Sequence, residues 1–189
     1  MTNGVFSDYE LDELGFKFEG ETAYQSAKCI GAAEEEMEVK VITKSCRGVV
    51  AKEKVKGTGR GTVKVTAHMP YEIYIAMYGM SLDSLIDGVK GYGRNSVHKG
   101  FSMVAHVTDE DGVEKLVAYP NCVVKTGKAR KIENGAEEVA QIELEVSVSP
   151  DVYGQGLYET LVSELTDETV KTKWMTAFEP GLVQKVPKA

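Results

Sequence analysis

Residues 34–80 read EEEMEVKVITKSCRGVVAKEKVKGTGRGTVKVTAHMPYEIYIAMYGM: two alternating stretches flank a basic, glycine-rich segment, and a helix-like run closes the block. From Glu34 to Lys44, Met37, Val39 and Val41 alternate with Glu36, Glu38 and Lys40, the period of a strand with one buried and one solvated face. Thr62 to Met69 repeats the pattern, with Val63, Val65, Ala67 and Met69 opposite Thr62, Lys64, Thr66 and His68. Between them, residues 45–61 carry Arg47, Lys52, Glu53, Lys54, Lys56 and Arg60 among Gly57, Gly59 and Gly61. That segment is too polar for a core and too long for a tight turn, which predicts a protruding hairpin loop over 45–61. Pro70 suits the first turn of the helix that follows, where its missing N–H has no intrahelical use.

Working outward, residues 1–24 are rich in Asp, Glu and Gly with scattered aromatics and are expected to form an N-terminal arm. Phe16 and Phe18 alternate within it as a short strand would, either adding to a neighbouring sheet edge or forming an edge strand of the same subunit. After a helix carrying Ile73 and Met77, Ser81 is positioned to cap a second short turn bearing Leu82, Leu85 and Ile86, with Gly88 as its stop and a glycine-rich connection behind it. Ser96 to Thr108 reads as a strand with a bulge at Gly100, and Glu110-Asp111-Gly112 as its hairpin turn. Val113 to Tyr119 returns, Pro120 interrupts, and Cys122 to Thr126 is predicted at a sheet edge. Asn134-Gly135 signals another turn before the cleanest alternation in the chain, Ala140, Ile142, Leu144, Val146 and Val148, which predicts a strand crossing the core and ended by Pro150-Asp151. Asp167 is the expected cap of a helix presenting Val170, Trp174 and Phe178, closed by Pro180-Gly181, and the last eight residues read as a loose tail.

These segments predict a mainly β fold: a β-sandwich or partly open barrel with one flanking α-helix, a long protruding hairpin loop and terminal arms. The expected division is an arm over 1–24, the β domain over 25–156, and a C-terminal extension over 157–189.

At 189 residues the chain can bury a sizeable core, hiding about 70% of its unfolded surface, without a metal or disulfide to help. The formal net charge of −7 argues against a tight duplex-DNA binder, which needs a basic face for phosphates, yet suits a wall past which DNA slides. Cys29, Cys46 and Cys122 have neither disulfide nor zinc spacing, and a reducing cytoplasm is the expected setting. No stretch approaches the roughly 18 apolar residues of a membrane span.

Nothing in the motifs suggests catalysis. His68, His98 and His106 fall in no metal-binding spacing and read as solvated or hydrogen-bonded strand residues. The glycines from 57 to 61 lead into a strand, where no helix N-terminus awaits an anion, so a phosphate loop is excluded. Glu36, Glu38, Glu143 and Glu145 occupy the solvated faces of two strands, without the apolar walls that raise one carboxyl of a glycosidase pair. No catalytic residue, cofactor or metal is predicted, and the expectation is that the protein is not an enzyme.

The order of four segments carries a resemblance: GTGRGTVKV (57–65) after the charged hairpin, MPYEIYIAMYGM (69–80), YPNCVVKTGK (119–128) and IELEVSVSPDVYG (142–154). Over roughly residues 30–156 the chain resembles the major tail tube proteins of long-tailed bacteriophages. That resemblance implies a virion subunit forming hexameric rings, stacked into a hollow tube through which DNA passes transiently and without sequence preference. It further implies tape-measure, tail-terminator and tail-tip partners, and a life in the host cytoplasm before assembly. In that family the hairpin packs on the adjacent ring, which makes Arg47, Lys52, Lys54, Lys56 and Arg60 candidates for contacts with acidic residues of the next subunit. Glu36, Glu38, Glu143 and Glu145 become candidates for the lumen wall. The alternative is a β-sandwich receptor- or carbohydrate-binding module of a phage particle. Such a module displays aromatic platforms, whereas Tyr71, Tyr74 and Tyr78 lie on the predicted helix, where packing is the simpler role.

Overall fold

The computed structural model describes residues 6–185 apart from 48, 136 and 138. Strand alternation organises them into one antiparallel sheet built from β1 (Glu10–Phe18), β2 (Gln25–Ala27), β3 (Ile30–Cys46), β4 (Val49–Ala67), β5 (Phe101–Thr108), β6 (Glu114–Val124), β7 (Ile142–Ser149) and β8 (Tyr158–Leu161). The spatial order is β2-β1-β5-β6-β7-β4-β3, with β8 also paired to β6. Two α-helices, α1 (Tyr71–Met77) and α2 (Glu168–Ala177), accompany it.

The sheet curls without closing. Its inner face collects Leu14, Phe16 and Phe18 from β1, Met103 from β5, Val146 from β7 and Val65 from β4 into one cluster, and α1 fills the hollow with Ile73, Met77 and Tyr78. Across that hollow the Tyr119 hydroxyl of β6 donates to Glu35 of β3, three strands away in the sheet order. Of the two expected forms, this is the partly open barrel. β3 and β2 are its two ends.

The outer face is covered at β5 and β6 by α2. Asp167 caps α2 by accepting from the Thr169 and Val170 N–H groups, as the sequence predicts, and turns Val170, Trp174 and the following Phe178 onto Val104, Leu116 and Ala118. The Trp174 indole N–H donates to the Val117 carbonyl at 3.2 Å, so its buried polar atom is satisfied. Gly15 makes room beside this second core: a Cβ there would lie 2.7 Å from Val104 Cγ2. Tyr24 closes the edge of the cluster, its hydroxyl 2.8 Å from Ser102 Oγ, and burial pushes its pKa up to about 12.

Several expectations change on contact with the structure. Residues 10–18, expected within an arm over 1–24, form a strand that pairs with β5 along its whole length and with β2 over Leu14–Phe16. The region from 157 onward, read as an extension, contributes β8 and α2 to the body. Within the expected tail, Leu182 and Val183 pack against the α2 cluster; residues 186–189 lie outside the described set. Residues 81–88 form turns with no helix. β5 begins at Phe101, so Gly100 precedes it, and the irregularity in its pairing lies on β6, around Pro120.

Pro120 neither ends its strand nor sits at an edge. β6 runs through it, pairing with β8 over Lys115–Ala118 and with β7 over Asn121–Val124. The proline stands where one neighbour gives way to the other, the position in an interior strand that asks least of a missing N–H. The turn at Gly112 (φ 77) and the strand over 142–149 form as expected.

Candidate functional site

β7 accompanies β4 only from Ala67 to Gly61. Beyond that point β4 has β3 alone as its partner, and the two continue as a ribbon through Val39–Gly57, Val41–Val55 and Lys44–Lys52 to a turn at Arg47 (φ 52). The predicted hairpin loop over 45–61 is therefore mostly strand. Its polarity signalled exposure, and the chain meets the backbone hydrogen-bonding requirement by pairing with itself.

The register sorts the ribbon's side chains onto two unlike faces. One carries Lys40, Lys44, Lys52, Lys54 and Lys56, with Lys40 opposite Lys56, Lys44 opposite Lys52, and Ile42 opposite Lys54. The other carries Val39, Val41 and Val55, which are 60%, 51% and 57% exposed. Val39 and Val41, read from alternation as buried, are exposed because, among the described residues, no strand other than β3 and β4 reaches this far.

The base is fixed by close backbone contact. Between Met37–Gly61 and Val39–Gly57, β3 spends one residue and β4 three, which places Thr58, Gly59 and Arg60 in a bulge. The Thr58 hydroxyl donates to the Glu38 carbonyl at 3.2 Å. Gly59 (φ 73) lies against the turn that follows β7: a Cβ on Gly156 would sit 1.9 Å from the Gly59 oxygen, and a Cβ on Gly59 2.8 Å from the Gly154 oxygen. Asp151 holds that turn by accepting from the Tyr153 and Gln155 N–H groups and the Tyr158 hydroxyl.

Of the predicted contact residues, Arg47 is at the ribbon's turn, Lys52, Lys54 and Lys56 share its lysine face, and Arg60 is in the bulge; all are exposed. The predicted acidic residues lie on the same outer face nearer the body. Glu36 stands beside Thr62 and Ser147, and Glu34, Lys64 and Glu145 form a row across β3, β4 and β7, with Glu143 beside Thr66. This acidic patch is partly neutralised: Lys64 lies 3.8 Å from Glu34, and Lys125 binds Glu145 at 2.9 Å and the Thr62 hydroxyl at 3.0 Å. Followed along β3, one face thus changes from acidic at the body to basic on the ribbon. Lys40, Lys44 and Ile42 belong to this site although sequence reasoning did not place them there. The alternation of Lys52, Lys54 and Lys56 was the available signal for a strand.

The three histidines have partners within the chain. His98 Nδ1 lies 2.7 Å from the Val124 carbonyl and its Nε2 3.1 Å from the Tyr92 hydroxyl. His106 stands between Asp12 (3.2 Å) and Glu114 (3.7 Å), and the exposed His68 donates its backbone N–H to the Cys29 carbonyl. Among the described residues no group of three or more His, Cys, Asp or Glu side chains is arranged to hold a metal. The mouth of the hollow encloses about 590 Å³, with Leu14, Val65, Met103 and Val117 below and the Tyr119–Glu35 pair at its side. Burial, reinforced by the Glu35 charge, pushes the Tyr119 hydroxyl well above its ordinary pKa, and burial does the same to the Cys122 thiol. Tyr74 and Tyr78 are buried against one another, as the packing reading of that helix predicts, leaving Tyr71 exposed. No helix in the described residues is long and apolar enough to cross a membrane.

No protein-family model matches the chain, and no curated protein does. Among solved structures, the chain is similar to one in the six-fold symmetrised cryo-EM structure of the anti-feeding prophage baseplate, with a TM-score of 0.42 and 12% identity, over 87% of this chain and 100% of that one.

Proposed function

We propose that this protein is a structural virion subunit that self-assembles into stacked hexameric rings, forming a phage tail tube through which DNA is ejected. The observation that carries this reading is the two-faced ribbon. It displays three valines more than half exposed on one face, beside a row of lysines that continues an acidic surface. An exposed apolar strip on a projecting ribbon is the kind of surface that another protein covers. A face acidic at one end and basic at the other can meet a second copy with opposite charges opposed, which favours association of like subunits. The ribbon of one ring packs on the next, with Arg47, Lys52, Lys54, Lys56 and Arg60 meeting acidic groups there. Within the tube, Glu36, Glu38, Glu143 and Glu145 face the lumen, where carboxylates repel phosphates and let DNA slide. Tape-measure, terminator and tip proteins set the length and ends. The role requires no catalysis.

Negative-stain microscopy across a concentration series, with light scattering for mass, tests the proposal. Rings or hollow tubes are expected from the wild type, and their loss from a variant with Val39, Val41 and Val55 replaced by Ser and an unchanged melting temperature. A wild type that stays monomeric throughout overturns self-assembly and favours a binding module of the particle.

A further inference from the structure

β3 ends the sheet, and from Glu34 to Lys44 every residue is exposed except the half-buried Met37. Charged side chains (Glu34, Glu35, Glu36, Glu38, Lys40 and Lys44) guard this edge against unlike chains, but guards built into the backbone are missing. It carries no proline, it is long, and the bulge at the ribbon's base is taken up by β4, so β3 itself stays regular through this stretch. The Glu38 carbonyl is turned toward β4, accepting from Thr58. By the alternation of an antiparallel ladder, Glu35, Met37, Val39, Val41 and Thr43 then present their N–H and C=O groups outward.

The sequence along that edge is complementary to its own reverse. Running a second copy antiparallel with Val39 opposite Val39 puts Met37 opposite Val41, Glu38 opposite Lys40 and Glu34 opposite Lys44, each twice by symmetry, with Glu36 against Ile42. The residues with outward backbone groups meet each other, as hydrogen-bonded pairing requires. The register is specific: moving it by two residues in one direction brings Glu38 against Glu38, and in the other Lys40 against Lys40, and like charges directly opposed are destabilising.

We infer that two copies of this chain pair isologously through the free edge of β3, antiparallel, about a two-fold axis at Val39. The contact uses backbone edges rather than ribbon faces and does not depend on the tube reading. It covers an edge that would otherwise invite disordered aggregation, and holds subunits as a closed dimer that cannot propagate.

Charge exchange tests it. The wild type is expected to rise with concentration from a monomer of 20.6 kDa to a species of twice that mass. Lys40→Glu/Lys44→Glu and Glu34→Lys/Glu38→Lys should each weaken dimerisation by roughly 100-fold or more, since four opposed pairs become repulsive. Mixed in equal amounts, the two variants should recover the dimer, because every opposed pair is then complementary. Independently, Val39→Cys with Cys29 and Cys46 replaced by Ser should give an oxidised dimer, the opposed Cα atoms being within disulfide reach. A wild type that never dimerises, charge variants that still do, or a mixture that stays monomeric overturns the inference. Tubes without a β3-linked dimer leave the proposed function standing and remove this one; a dimer that never forms rings does the reverse.

Discussion

β3 and β4 are each two strands in one. Nearer the body, Val63 and Val65 alternate with Lys64 and are almost wholly enclosed, whereas farther along, Val39, Val41 and Val55 alternate with lysines in the same way and stand in solvent. The sequence pattern is the same. The difference is the third strand: β7 runs beside β4 to Gly61 and no farther, and α1 fills the hollow only behind the paired region. Period-2 alternation reports which face a side chain takes, while burial is decided by whether another layer lies on that face.

Substitutions sharpen the contrast. Leu144→Ala, on the buried face of β7, should cost about 2–5 kcal/mol in unfolding free energy, measured by urea denaturation, because the surrounding core collapses only partly into the space left. Gly156→Ala, where the ribbon meets the body, should cost about 1–3 kcal/mol by overpacking, since its methyl group would overlap the Gly59 carbonyl. Asp167→Ala should remove about 1 kcal/mol by uncapping α2, seen as a lowered thermal midpoint. Val41→Ala, on the ribbon, should change stability by no more than about 0.5 kcal/mol while reducing assembly in light scattering. A Val41→Ala as costly as Leu144→Ala would break the comparison, by showing that the ribbon's apolar face is covered within its own chain.

The parts of the fold legible in the sequence were those whose local signals agree with their tertiary surroundings. The strand through Leu144, Val146 and Val148 is buried on the face its alternation indicates, and Asp167 is followed by apolar residues one helical turn apart. The misread parts depend on distant partners. Whether residues 10–18 are an arm or a strand is settled by β5, which lies over eighty residues downstream. Pro120 reads as an edge because proline cannot donate, but two different neighbours meeting at one strand create an interior site that tolerates it. For the ribbon, charge and glycine content located the exposed segment correctly but concealed its pairing. The valine face was invisible for a related reason: the same residues that predict a core were the ones left outside it.

The glycine contact at the ribbon's base also has a mechanical consequence. From Val39 to Arg47 the ribbon extends roughly 27 Å at about 3.4 Å per residue, so a rotation of roughly 10° at its root would sweep the turn through about 5 Å. The contact of Gly59 with Gly156 sits at that root, so a small shift in it would be magnified at the far end into a displacement as large as the spacing between neighbouring strands.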